Sequence, residues 1–66
     1  MAQITRFKYG NKNIRIVTQQ YEVGLYVAVY DDKSDTFLNQ FGIDIPEEEY
    51  HKMLREKFKD TLLTDY

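Results

Sequence analysis

The sequence predicts an α+β domain: a four-stranded antiparallel β-sheet (β-β-β-β-α) with one C-terminal amphipathic helix packed on one face. Three patterns predict it. Gly10-Asn11 separates two β-rich runs and has the chemistry of a two-residue hairpin turn. Leu25, Val27 and Val29 alternate with Tyr26, Ala28 and Tyr30 at the period of a strand. Tyr50, Met53, Leu54, Phe58 and Leu62 form one helical stripe.

The first turn sets the frame of the first hairpin. Glycine at the first central position favours a type II′ turn, which pairs Tyr9 with Lys12, Phe7 with Ile14 and Thr5 with Ile16. Side chains alternate along a strand, so one face collects Thr5, Phe7, Tyr9, Ile14 and Ile16. The other collects Ile4, Arg6, Lys8, Arg15 and Val17. The connection over 19–24 carries little turn chemistry, and the third strand is expected from about Gly24 to Tyr30. Residues 31–35 read as a polar hairpin loop of side chains that bond their own backbone. In the fourth strand Phe37, Phe41, Ile43 and Ile45 share one parity, with Asn39 the exception and Gly42 the expected kink or bulge. Pro46 suits a first helical turn, and Asp44 three residues before Glu47 resembles a capping box. Glu47, Glu48 and Glu49 then complement the positive end of the helix dipole, and Lys57 and Lys59 the negative end.

Sixty-six residues make one small domain, expected to span 1–66. A chain this short buries only about 60% of its unfolded surface, and small domains gain support from disulfides, a metal or self-association. There is no cysteine and one histidine, so a disulfide framework is excluded and a zinc site is not expected. No apolar run approaches the roughly 18 residues of a membrane span, and a cytoplasmic location is the expectation. The net charge of −2 conceals a segregation: residues 1–20 carry +4, residues 21–50 carry −7 and the last sixteen carry +1. Such segregation bears on association rather than on fold.

A helix of about sixteen residues spans roughly 24 Å and covers one face of a small sheet. The most apolar face is assigned to it: Phe7, Ile14, Ile16, Leu25, Val27, Val29 and Phe37, with Phe41 and Ile43 nearby. The opposite face then presents Ile4, Arg6, Lys8, Arg15, Val17, Tyr26 and Tyr30, with Leu38. Three uses compete for it. It is a partly solvated sheet with Arg15 stacked over Tyr26 or Tyr30; or a protein interface, for a second copy or a dedicated target; or a platform for single-stranded nucleic acid. In the last case bases stack on Tyr26 and Tyr30, and Arg6, Lys8, Lys12 and Arg15 hold phosphates. The overall acidity counts against that last use. Asp31, Asp32 and Asp35 form a possible acidic contact of their own.

Catalytic chemistry finds little material. Ser34 is the single serine and sits in the expected loop, far in sequence from His51. His51 is expected on the helix surface. Asp31, Asp32 and Asp35 lack the spacing of a calcium loop, and Gly10, Gly24 and Gly42 are too scattered to cradle a phosphate. No enzyme, cofactor, metal or small-molecule substrate is expected.

The stretch Phe41-Gly42-Ile43-Asp44-Ile45-Pro46-Glu47-Glu48-Glu49-Tyr50, after four strands, resembles the strand end and helix start of the positive-coactivator type of single-strand-binding domain. That resemblance implies single-stranded nucleic acid as the alternative ligand; the present chain departs from that family in being acidic. In size and style the chain resembles the small regulators and inhibitors of phages and mobile elements. The expectation is a non-enzymatic interaction module that binds a macromolecule through the basic-aromatic face, a protein in the first instance, with a homodimer through that face or an edge strand favoured.

Overall fold

A computed structural model of the chain describes residues 2–63. It has four strands, β1 (Ala2–Tyr9), β2 (Lys12–Tyr21), β3 (Gly24–Asp31) and β4 (Thr36–Ile43), followed by one helix, α1 (Glu47–Lys57). The strands form a single antiparallel meander in the order β1-β2-β3-β4 with the helix packed on it, the α+β fold expected.

The first hairpin has the register that its turn dictates: Tyr9 opposes Lys12, Phe7 opposes Ile14 and Thr5 opposes Ile16. Gly10 has φ +65°, while Asn11 stays at negative φ, as a type II′ turn requires. The second connection is tighter than the sequence suggests. β2 continues to Tyr21, which pairs with Gly24 across the two-residue turn Glu22-Val23. Gly24 has φ +149°, which L side chains rarely adopt, and a Cβ there would crowd the Ile43 carbonyl oxygen at 3.3 Å, so glycine is favoured on both counts. In the third loop, the Asp31 carboxylate accepts hydrogen bonds from the backbone N–H of Lys33 (3.1 Å) and Ser34 (3.2 Å), and Asp35 closes the turn at φ +56°.

β4 corrects the sequence reading. Tyr30 opposes Phe37 but Val29 opposes Asn39, so Leu38 is an extra residue and the bulge lies there rather than at Gly42. The inserted residue reverses the parity of everything before it. Asn39, Phe41 and Ile43 stay on the helix side, opposite Val29, Val27 and Leu25, whereas Phe37 joins Tyr30 on the other face. The assignment of Phe37 to the helix-covered face is therefore overturned.

The helix is also shorter and differently turned than expected. It has eleven residues, and Phe58 is its C-cap. Leu62 lies beyond it and forms an isolated antiparallel bridge with Phe7 of β1. The buried residues of α1 are Tyr50, His51 and Leu54, while Met53, placed in the apolar stripe from sequence, is 47% exposed. Asp44 makes no cap. Pro46 occupies the N-cap position, and the Glu47 N–H donates instead to the side-chain oxygen of Gln20 on β2, at 2.8 Å. α1 packs most closely on β1 and β2, and its core reaches Leu25 and Val27 of β3, so β4 is the strand least covered by it. Its core joins Phe7, Ile14, Ile16, Leu25, Val27, Tyr50 and Leu54, with Phe58 stacked on Phe7 at 3.8 Å between ring centroids.

Candidate interaction surface

The face turned away from α1 is built by alternation from all four strands. It carries Ile4, Arg6 and Lys8 of β1, Arg15 and Val17 of β2, and Tyr26, Ala28 and Tyr30 of β3, with Phe37 and Gln40 of β4. Two-fold periodicity puts cationic and aromatic residues side by side, because Arg6 opposes Arg15 and Arg15 opposes Tyr30. Two guanidinium groups across adjacent strands repel each other unless a counter-charge lies between them.

The β3–β4 loop provides that counter-charge. Asp32 follows the last pair of β3, and its N–H donates to the Asn13 carbonyl at 2.7 Å, which holds the loop down against β2. Its carboxylate takes Arg6 on one side (Nε to Oδ2, 3.3 Å) and Arg15 on the other (Nη1 to Oδ1, 3.1 Å). Arg15 makes a second ion pair with Asp35, and its guanidinium carbon lies 4.6 Å from the centre of the Tyr30 ring. The hydrogen bond that Arg15 donates to Asp35 is the largest influence raising the Arg15 pKa above its ordinary value. Phe37 meets Tyr30 edge to face at 5.7 Å. Tyr26 donates its hydroxyl hydrogen to Gln40 Oε1 at 2.6 Å.

The sequence-derived residues thus divide. Arg6, Arg15, Tyr30, Asp32 and Asp35 come together in one network, with Tyr26 on the same face. Lys8 is on this face but exposed at the outer strand. Lys12 opposes Tyr9 and belongs to the other parity, at the hairpin end, apart from the remaining cations. Asp31 opposes Ile14 and caps its own loop, and the Ser34 and Lys33 N–H groups hold its carboxyl below the usual range. Leu38 is the bulge residue and is 45% exposed. Sequence reasoning missed Phe37, which is 50% exposed beside Tyr30. The broken parity at Asn39 was its only sign.

His51 is the second correction. Expected at the surface, it is 0% exposed, with Nδ1 2.5 Å from the Thr5 hydroxyl and Nε2 2.6 Å from the Thr18 hydroxyl. The Glu47 carboxylate can only accept, so Thr18 gives it the single hydroxyl hydrogen, at 2.8 Å. Thr18 Oγ1 must then accept from His51 Nε2–H, which leaves Nδ1 as an acceptor for the Thr5 hydroxyl. The chain Thr5, His51, Thr18, Glu47 donates in one direction throughout, an arrangement in which each bond polarises the next. Glu47 also accepts from the Gln3 N–H at 3.2 Å. Burial pushes the His51 pKa below its ordinary value, partly opposed by the charge of Glu47. Both ring nitrogens are engaged and solvent does not reach the ring, so the network ties α1 to β1 and β2.

Among the described residues no group of three His, Cys, Asp or Glu side chains is placed to hold a metal ion, and no helix is long and apolar enough to cross a membrane. Comparison of the chain with protein-family models, with curated proteins and with solved structures gives no match.

Proposed function

We propose that the chain is a small non-enzymatic interaction module that binds a protein partner through its open sheet face. It regulates or inhibits that partner by occupying it, in the manner of the small regulators of phages and mobile elements, and it works in the cytoplasm. The observation that carries this reading is the neutralised arginine network. Arg6 and Arg15 are engaged by Asp32 and Asp35, while Ile4, Tyr26, Phe37 and Leu38 stand exposed around them. Protein interfaces favour this mixture: aromatic rings, arginine already oriented by a carboxylate, and few unpaired charges at the centre.

Single-stranded nucleic acid is the second reading, and the Tyr26 and Tyr30 rings favour it as stacking platforms. It needs free cations. Lys8 is the one cation of this face without an ion pair among the described residues, and phosphate binding rests on neutralising several charges.

Affinity capture from the source cell tests the proposal. The wild-type chain is expected to retain a protein that a Tyr26→Ala/Phe37→Ala double variant loses by about tenfold or more, which is about 1.4 kcal/mol of binding. Lys52→Ala, on the exposed side of α1, should retain it. Equal retention by the double variant, or recovery of nucleic acid alone, overturns the reading.

A further inference from the structure

The two edges of the sheet are treated differently by the fold. At the β1 edge, residues 61–63 run alongside the strand: the Lys8 N–H donates to the Thr61 carbonyl at 2.8 Å, and the Leu63 N–H donates to the Arg6 carbonyl at 2.9 Å. The Arg6–Lys8 part of that edge is covered by the chain itself. At the β4 edge no other strand pairs among the described residues.

Which backbone groups of β4 face outward follows from the ladder. Arg6 and Lys8 point their backbone groups out of the sheet, so Thr5, Phe7 and Tyr9 point theirs toward β2. Alternation carried across three pairings turns Asn39, Phe41 and Ile43 toward β3 and leaves the N–H and C=O of Gln40 and Gly42 facing outward. Natural edge strands are normally blunted by lysine, proline or an inward charge. β4 has none of these: its sequence is TFLNQFGI, without a charged residue or proline, and seven of its eight residues are exposed. The bulge at Leu38 is the one interruption, and it leaves residues 39–43 as a regular segment centred on Phe41.

We infer that β4 pairs antiparallel with β4 of a second copy of this chain, about a two-fold axis at Phe41, to give a continuous eight-stranded sheet. Gln40 then forms ladder hydrogen bonds with Gly42 of the partner in both directions, and Phe41 lies beside its symmetry mate. The same register sets Asp44 opposite Leu38, so no like charges oppose each other. The two copies meet through the same patch, which is the condition for a closed dimer. Growth through the β1 edge is disfavoured where residues 61–63 already occupy its Arg6–Lys8 segment. The β4 side of the helix-covered face, around the partly exposed Phe41, is brought to the centre of the assembly. This seam is distinct from the open face, and each can fail without the other.

Sedimentation equilibrium at about 100 μM should give twice the 7.9 kDa chain mass, above the range in which a weak strand-pairing dimer dissociates. Gln40→Pro removes an outward N–H without touching the ladder to β3, and Phe41→Lys opposes two like charges at the axis. Each should weaken the dimer by about tenfold or more while the circular dichroism of the sheet persists. Phe41→Cys should oxidise to a disulfide-linked dimer, whereas Lys52→Cys on the exposed side of α1 should not. A monomer at that concentration overturns the inference. So does a dimer that survives Gln40→Pro and Phe41→Lys but is lost in Tyr26→Asp, which places the seam on the open face.

Discussion

At the residue scale, the buried chain from Thr5 through His51 and Thr18 to Glu47 holds the most sensitive chemistry of the fold. Removing the Thr18 hydroxyl with Thr18→Val keeps the volume but strands the buried His51 Nε2–H and takes one donor from the Glu47 carboxylate. Chemical denaturation should show a loss of about 1–3 kcal/mol, the cost of a buried polar group left without its hydrogen bond. The same histidine makes stability depend on pH. Its folded pKa lies below the 6.5 of the free side chain, so the unfolded chain takes up the proton first. Stability is therefore fully present above pH 6.5 and declines as the pH falls from there toward the folded pKa. The Asp31 carboxyl, whose pKa is lowered from 3.8, contributes stability above that value that is lost in a separate window as the pH falls below it. Thermal unfolding between about pH 8 and pH 5 should show a falling Tm in the wild type and a flat one in His51→Gln. A flat wild-type profile would remove the ionisable ring from the account.

At the element scale, α1 owes its orientation to this polar core. At 100° per residue, Glu47, Tyr50, His51, Leu54 and Phe58 cluster on one side and Met53 falls outside them. Met53→Lys should leave stability within about 0.5 kcal/mol, whereas Leu54→Ala, in the core, should cost about 2–5 kcal/mol by calorimetry. Equal losses would mean that the helix buries the stripe containing Met53. From sequence, that stripe was the natural choice because hydrophobic periodicity sees apolar residues alone. It cannot see that Thr5 and Thr18, more than thirty residues away in the chain, offer partners that let a histidine go inside. The β-hairpins illustrate the opposite case. A local turn, Gly10-Asn11, dictated a register through to Ile4 and Val17, and the strand order followed from short connections. The bulge at Leu38 was legible only as the odd parity of Asn39. Turn chemistry after Asp31 sets the pairing of Thr36 and Phe37, while packing against Leu25 and Val27 sets that of Phe41 and Ile43, and the two frames differ by one residue.

At the scale of the whole molecule, the segregated charge of the chain acquires a physical meaning. The acid-free first twenty residues and the acidic loop of residues 31–35 meet on the open face, where Asp32 and Asp35 engage Arg6 and Arg15. The candidate residues were legible from composition and register, but their mutual neutralisation depends on the β3–β4 loop lying against β2, which the Asp32 to Asn13 backbone bond brings about. The helix packs chiefly on β1 and β2, residues 61–63 cover the Arg6–Lys8 part of the β1 edge, and the open face and the uncharged β4 edge are left uncovered among the described residues. The central claim is that the open face is built for protein rather than for phosphate. Fluorescence anisotropy of a single-stranded oligonucleotide at about 50 mM salt tests it most directly, because phosphate contacts are strong there. The wild-type chain should show no binding, and an Asp32→Asn/Asp35→Asn variant, with both arginines released, should bind with a steep salt dependence. Tight, salt-sensitive binding by the wild type that Arg15→Ala abolishes would contradict the claim.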